Sequence, residues 1–156
     1  MQEFILTGFL GIVLIAICCL CIYEALRYVW KMLPTLNWSP RLHVITIIAL
    51  IFGAHVVNIW MFGIVYYLLH SFDLGTLSGG AIEHGRYALD LFGCVYFSAV
   101  IYSTLGLGDI TPIGALRMIT GVEAITGFML MGWTVSFTYI AMQKFWELPH
   151  RRKADK

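Results

Sequence analysis

Charge is what this chain has least of: ten Lys and Arg and nine Asp and Glu in 156 residues, 12% of the sequence. Hydrophobic residues make up 60% and aromatic ones 15%, with a mean hydropathy of +0.81. A soluble domain carries about twice that charge, so the composition reads as an integral membrane protein. Other absences narrow the function. There is no Gly-rich phosphate loop, no nucleophile–base pair and no zinc-ligand spacing, so an enzyme is not expected. No basic stripe suggests a nucleic-acid partner. Cys18, Cys19, Cys21 and Cys94 do not form the paired CxxC units of a metal site and read as small packing residues. Neither of the first two apolar segments has arginine at every third position, which excludes a sensor built from repeated gating charges. No internal repeat is visible, which disfavours a proton-coupled carrier using Glu123 and His55.

Three stretches reach the roughly 20 apolar residues that a spanning helix needs: Phe4–Tyr23, Val44–Leu69 and Ala124–Gln143. The first lacks the basic start and the small-residue cleavage site of a secretory signal, so it is read as a retained helix. A fourth apolar run, Leu91 to Leu107, is interrupted by "GLGD", which leaves about 13 helical residues, too few to cross. That run must enter and leave the membrane on one side. Non-helical backbone at membrane depth survives only when buried in protein or lining a water-filled cavity, so Thr104–Asp109 is expected to line a pore.

Orientation follows from the cations. Arg27, Lys31, Arg41, Lys144, Arg151, Arg152, Lys153 and Lys156 gather on one face, eight of the ten. The excess of Lys and Arg marks a cytoplasmic side. The expectation is a multi-pass protein of the plasma (inner) membrane, its amino terminus outside and its carboxyl terminus cytoplasmic. The basic tail "PHRRKADK" suits topology and attraction to anionic headgroups.

Read from the outer loop, the order is "DLFGCVYFSAVIYS", "TLGLGD", "ITP", and then a glycine-containing spanning helix. This order resembles the pore domain of the potassium-channel superfamily, in which an outer helix, a pore helix, a filter with a TVGYGD-like signature and an inner helix follow one another. Thr104, Gly106, Gly108 and Asp109 match the signature, Thr111 and Pro112 follow it, and the aromatic pair Tyr96 and Phe97 lies where the family places bulky rings. The resemblance covers about Val44–Gln143 and leaves the first helix outside.

What the resemblance implies is an all-α integral membrane protein, a homotetramer with three transmembrane helices, a re-entrant pore helix and a selectivity-filter loop in each subunit. The divisions expected are an extra amino-terminal helix over 1–31, a cytoplasmic connection over 32–41, an outer helix over 42–70 and an outer loop over 71–90. A pore helix over 91–103, a filter over 104–109, an inner helix over 114–145 and a tail over 146–156 complete the chain. A filter strips the water from a cation and replaces it with rings of backbone carbonyls, and one strand cannot make a ring. The expected ligands for potassium are the carbonyls of Thr104, Leu105, Gly106 and Leu107, with Gly108 completing the filter and the Thr104 hydroxyl at its inner mouth. Aiming successive carbonyls at one axis requires backbone angles that Gly106 and Gly108 adopt cheaply. The pore helix should turn the negative end of its dipole toward the cavity. No cofactor is implied beyond the permeant potassium ions, and the partners implied are identical subunits, membrane lipids and monovalent cations.

Two positions depart from the family pattern. Leu107 replaces the usual tyrosine, so a weakly selective monovalent cation channel stays open as an alternative, and so does a non-conducting accessory or sensor subunit. Val100 stands where several members have a glutamate that braces the filter aspartate, so Asp109 needs another partner.

Glu123 lies inside the last span, where a carboxylate facing lipid costs several kcal/mol by simple transfer arguments. It is expected to brace the filter through Ser103, Thr104 or Tyr102, or to form a cation-attracting ring on the ion path. Ser103 and Asp109 are the other expected filter supports, and Gly127 or Gly132 is a candidate gating hinge. His55 and Asn58 share a helix face, as packing polars or with His55 as a pH sensor. Glu24 and Arg27, three apart, are expected to pair.

Overall fold

The computed structural model describes residues 2–32, 38–72, 74–79, 82–83, 86–87 and 89–154. Parts of the expected connection over 32–41, of the outer loop over 71–90 and of the tail lie outside the described residues. Helix α1 spans Gln2–Met32, α2 Pro40–Ser71, α3 Leu91–Tyr102 and α4 Leu116–Ala154. Three stretches, Thr7–Met32, Arg41–Ser71 and Leu116–Lys144, are long and apolar enough to cross a membrane. Only about a quarter of each is buried within the chain. Phe9, Phe52, Ile125, Phe128 and Val135 each point outward, which is costly in water and natural in lipid.

The third span begins at Leu116 rather than Ala124, because Glu123 is buried against protein and does not interrupt the apolar surface. Helix α2 starts with Pro40, whose fixed φ suits a first turn, after an extended Ser39. Helix α3 has 12 residues and is about 18 Å long, far short of the hydrocarbon thickness. Its first turn is capped by the Asp90 carboxylate, which accepts from the Gly93 amide at 2.8 Å. It ends at Tyr102, with Ser103 as its cap. The inner helix starts at Leu116, after Gly114 turns the chain at φ +68°.

Contacts set the directions of the helices. Along α1 and α4, Gly11 lies on Val122 and Trp30 on Phe137, so these two run the same way. Along α2, His55 meets Thr134 and Tyr66 meets Glu123, so α2 runs opposite to α4. Residues 104–109, the expected filter, therefore lie toward the end of the bundle where α1 begins and α2 finishes.

The outer region holds two small antiparallel pairs that the sequence reading does not anticipate. Strand β1 (Thr76–Ser78) pairs with β4 (Thr111–Ile113), Leu77 opposite Pro112, and β2 (Ile82–Glu83) pairs with β3 (Arg86–Tyr87). Strands of two or three residues leave no alternation to read. The Ser78 and Thr111 hydroxyls lie 2.5 Å apart and tie β1 to the segment just beyond the filter. Gly79, at φ +132°, packs on the backbone of Asp109 and Ile110, where a Cβ would collide.

Candidate functional site

Residues 103–109 are exposed along their whole length in the single chain. Positive φ angles alternate through them: Thr104 at 58°, Gly106 at 60° and Gly108 at 79°. Alternation of positive and negative φ is the backbone pattern by which successive carbonyls can be turned to one side. The two glycines adopt this geometry without penalty. Thr104 is a β-branched residue at positive φ, which is rare and costs on the order of 1–3 kcal/mol. Nothing in the sequence announces that strain.

The amides of this segment are held from behind. Thr104 N–H donates to the Ile101 carbonyl at 2.9 Å, Leu105 N–H to Val100 at 3.0 Å and Gly106 N–H to Val100 at 3.5 Å. Among the described residues the carbonyls of 104–108 accept no hydrogen bond. The last carbonyls of α3 are thus occupied by filter amides and by Ser103, whose hydroxyl donates to Ala99 at 2.7 Å. The chain turns back so tightly that its own next amides satisfy these helix-end carbonyls.

Asp109 finds its partner in Tyr96, whose hydroxyl donates to it at 2.8 Å. The carboxylate accepts that proton and opposes a phenolate, so it holds the Tyr96 phenol above the ordinary tyrosine range. The signal was present as an aromatic flagged on the pore helix and an aspartate lacking its usual brace.

Glu123 is fully buried, sealed between α2 and α3. Its carboxylate oxygens accept from the Tyr66 hydroxyl at 2.5 Å and from the Ser98 hydroxyl, also at 2.5 Å. Ser98 reaches the Ile59 carbonyl as well, at 2.8 Å. The partners are therefore neither Ser103, Thr104 nor Tyr102, and the side chain does not face a water-filled path. Register explains the difference: it is Gly127, one turn farther along α4, that meets Tyr102, and Ser98 lies one turn earlier on α3. Both helices run the same way, so Glu123 falls level with Ser98. A Cβ on Gly127 would strike the Tyr102 carbonyl oxygen, whereas one on Gly132 meets nothing within 4 Å.

A second polar chain crosses the same three helices deeper in the bundle, about three turns away along α2 and α4. Asn58 donates from Nδ2 to the Tyr102 oxygen at 3.2 Å, His55 Nδ1 lies 3.0 Å from that oxygen, and His55 Nε2 lies 3.0 Å from Thr134 Oγ1. The Thr134 proton is committed to the Met131 carbonyl at 3.0 Å, so Thr134 accepts from Nε2–H, and Nδ1 accepts from Tyr102. The order closes with a neutral His55. Thr134 and Tyr66 carried no signal in the sequence beyond being polar in a span.

Among the described residues no three His, Cys, Asp or Glu side chains gather as a metal cluster. The run of carbonyls at 104–108, exposed and without a donor among the described residues, is an oxygen-rich stretch that could meet a cation. A family model described as ion channel matches residues 44–144. The chain belongs to that ion channel family. Within this channel, the matched region contains most of α2, α3, residues 103–109 and most of α4, the two-helix pore domain of potassium-channel type. Helix α1 lies ahead of it. Comparison of the channel with curated proteins and with solved structures gives no match.

Proposed function

We propose that this membrane channel is a homotetramer that conducts potassium passively through a filter made of Thr104, Leu105, Gly106, Leu107, Gly108 and Asp109 from each subunit. The observation that carries this reading is the alternation of positive φ at 104, 106 and 108, with carbonyls that have no partner within the chain. A carbonyl at membrane depth without a donor must meet a cation, water or another protein surface, and a ring of four such strands offers the oxygens that replace hydration water. The carbonyls of Thr104, Leu105, Gly106 and Leu107 are the proposed ligands, with the Thr104 hydroxyl at the inner mouth. Leu105 and Leu107, 64% and 57% exposed in one chain, are covered in this reading by neighbouring subunits.

Asp109 and Ser103 hold the two ends of the filter, and Glu123 fixes the pore helix from behind. Gly127 is locked beneath Tyr102, so a hinge in the inner helix belongs at Gly132, where the surroundings are open. Orientation follows the distribution of Lys and Arg, with the filter outward in the plasma membrane and the carboxyl terminus cytoplasmic.

A second reading, weak selectivity among monovalent cations, is favoured by Leu107, which has no hydroxyl to tie the filter outward. Bi-ionic reversal potentials of the purified chain in planar bilayers decide between the two. A large shift toward potassium is expected, and a reversal near zero rejects selectivity. Absence of any cation flux in liposomes containing this chain alone would instead favour an accessory subunit.

A further inference from the structure

The end of the bundle opposite the filter carries a crevice that the conduction pathway does not use. It lies between α1 and α4, has a volume of about 290 Å³, and is walled by Leu26, Trp30, Trp133 and Phe137 with Arg27 and Lys31 at its rim. Trp30 and Phe137 meet edge to face at 5.8 Å, and the Lys144 ammonium sits 3.9 Å from the centre of the Trp30 ring. Lys31 and Lys144 fall at the ends of their spans, Thr7–Met32 and Leu116–Lys144, so the lysine end of the crevice lies at headgroup depth and its Trp133 end deeper in the hydrocarbon.

Its charge is one-sided. Glu24 bonds Arg27 at 2.6 Å and neutralises it. Lys31 and Lys144 have no carboxylate partner among the described residues. An apolar, ring-lined slot opening onto two lysines at the membrane boundary matches one kind of molecule in shape and charge. Its tail must be hydrocarbon, its head must be anionic, and both must be reachable from within the bilayer.

We infer that this crevice is a binding site for an anionic phospholipid, its acyl chain against Trp30, Trp133 and Phe137 and its phosphate between Lys31 and Lys144. Two of the seven lining residues, Trp133 and Phe137, belong to the inner helix, directly beyond Gly132, and the other five to α1. A lipid seated there fixes α1 against α4 at the level where α4 is free to bend. The helix that supplies the cationic rim, α1, lies outside the matched pore domain, so the site belongs to what this channel adds to its family. It does not depend on which ion the filter passes.

Two of the five tryptophans line the slot, so brominated lipids, which quench indole on contact, report occupancy. The full-length chain is placed in nanodiscs of phosphatidylcholine containing a minority of brominated phosphatidylglycerol or, separately, of brominated phosphatidylcholine. Stronger quenching by the anionic lipid at equal mole fraction is expected. The preference should fall about fivefold for each cation removed in Lys31→Gln and Lys144→Gln, and should persist in Arg41→Gln, an exposed cation at the same membrane end but on α2. Equal quenching by both lipids in the unaltered chain overturns the site. So does a preference that survives the double change, or one that disappears with Arg41→Gln and therefore reflects only the general surface field. Reversal by soluble glycerol phosphate would assign the two lysines to a water-borne anion and overturn the lipid. Because the readout is fluorescence, a chain that conducts no ions still gives a decisive result.

Discussion

Two contacts on the inner helix are built from the same residue type and behave differently. Where α4 meets the pore helix, Gly127 lies so close to Tyr102 that a Cβ would be 2.9 Å from the carbonyl carbon and 3.0 Å from the ring. Where α4 meets α1, a Cβ on Gly11 would find Val122 at 3.5 Å, an ordinary van der Waals distance. Polar bonds of fixed length accompany the first contact above and below, through Glu123 and through His55. Shape accompanies the second, with Trp30 against Phe137. Directional bonds set the height of one helix against another to within a few tenths of an ångström, and apolar surfaces alone allow sliding. The pore joint is therefore a register, while the α1 seam is a fit that lipid can modify.

The largest effect is expected at the filter that this register supports. Ala at position 106 must hold φ near +60°, a left-handed conformation that costs an L-residue on the order of 1–2 kcal/mol per position. In the proposed tetramer the penalty repeats in each subunit. Gly106→Ala should abolish cation flux in liposomes while leaving membrane insertion and assembly unchanged; normal flux would remove residues 104–108 from the ion path.

Gly127→Ala comes next, because its methyl group would meet backbone that cannot rotate away. Overpacking of this kind costs on the order of 1–3 kcal/mol, and the displaced group is the end of the pore helix one residue before Ser103. Thermal unfolding in detergent should fall by several degrees, with flux sharply reduced. A variant as stable and active as the parent would mean that α3 and α4 are not in register at this height.

Glu123→Ala removes the acceptor shared by Tyr66 and Ser98 and should cost about 1–3 kcal/mol. Glu123→Gln keeps the volume and one acceptor oxygen, and its amide can donate to the Tyr66 hydroxyl, so it should recover most of that loss. Equal damage from both would indicate a role for the negative charge itself.

The sequence made the order of segments legible because lipid imposes a length on each apolar run, and because only a short helix followed by G-x-G-D between two spans asks for a re-entrant loop. The Glu24–Arg27 pair was legible for the same kind of reason, since spacing along one helix fixes it. What could not be read was anything set between helices. Glu123 was visible as an acid needing a partner, but naming Ser98 and Tyr66 requires the relative height of three helices, which Gly127 determines. The positive φ at Thr104 is imposed by Val100 and Ile101 drawing the filter amides back onto the helix end, and threonine itself gives no hint of it. The β1–β4 pair holds the far side of the filter with three residues in each strand, below the length at which a pattern exists.

The smallest effect, and the one that isolates the seam, is expected from Gly11→Ala. The added methyl would sit at contact distance from both Val122 methyl groups, 3.5 and 3.6 Å, so no atom has to move. Alanine also favours a helix over glycine by up to about 1 kcal/mol, and the site, though buried, has room for the methyl. The unfolding temperature should therefore stay level or rise slightly, with flux unchanged. If Gly11→Ala were to lower stability as much as Gly127→Ala does, α1 would be locked to α4 as firmly as the pore helix is. The first helix would then have to be counted as part of the pore rather than as a movable layer around it.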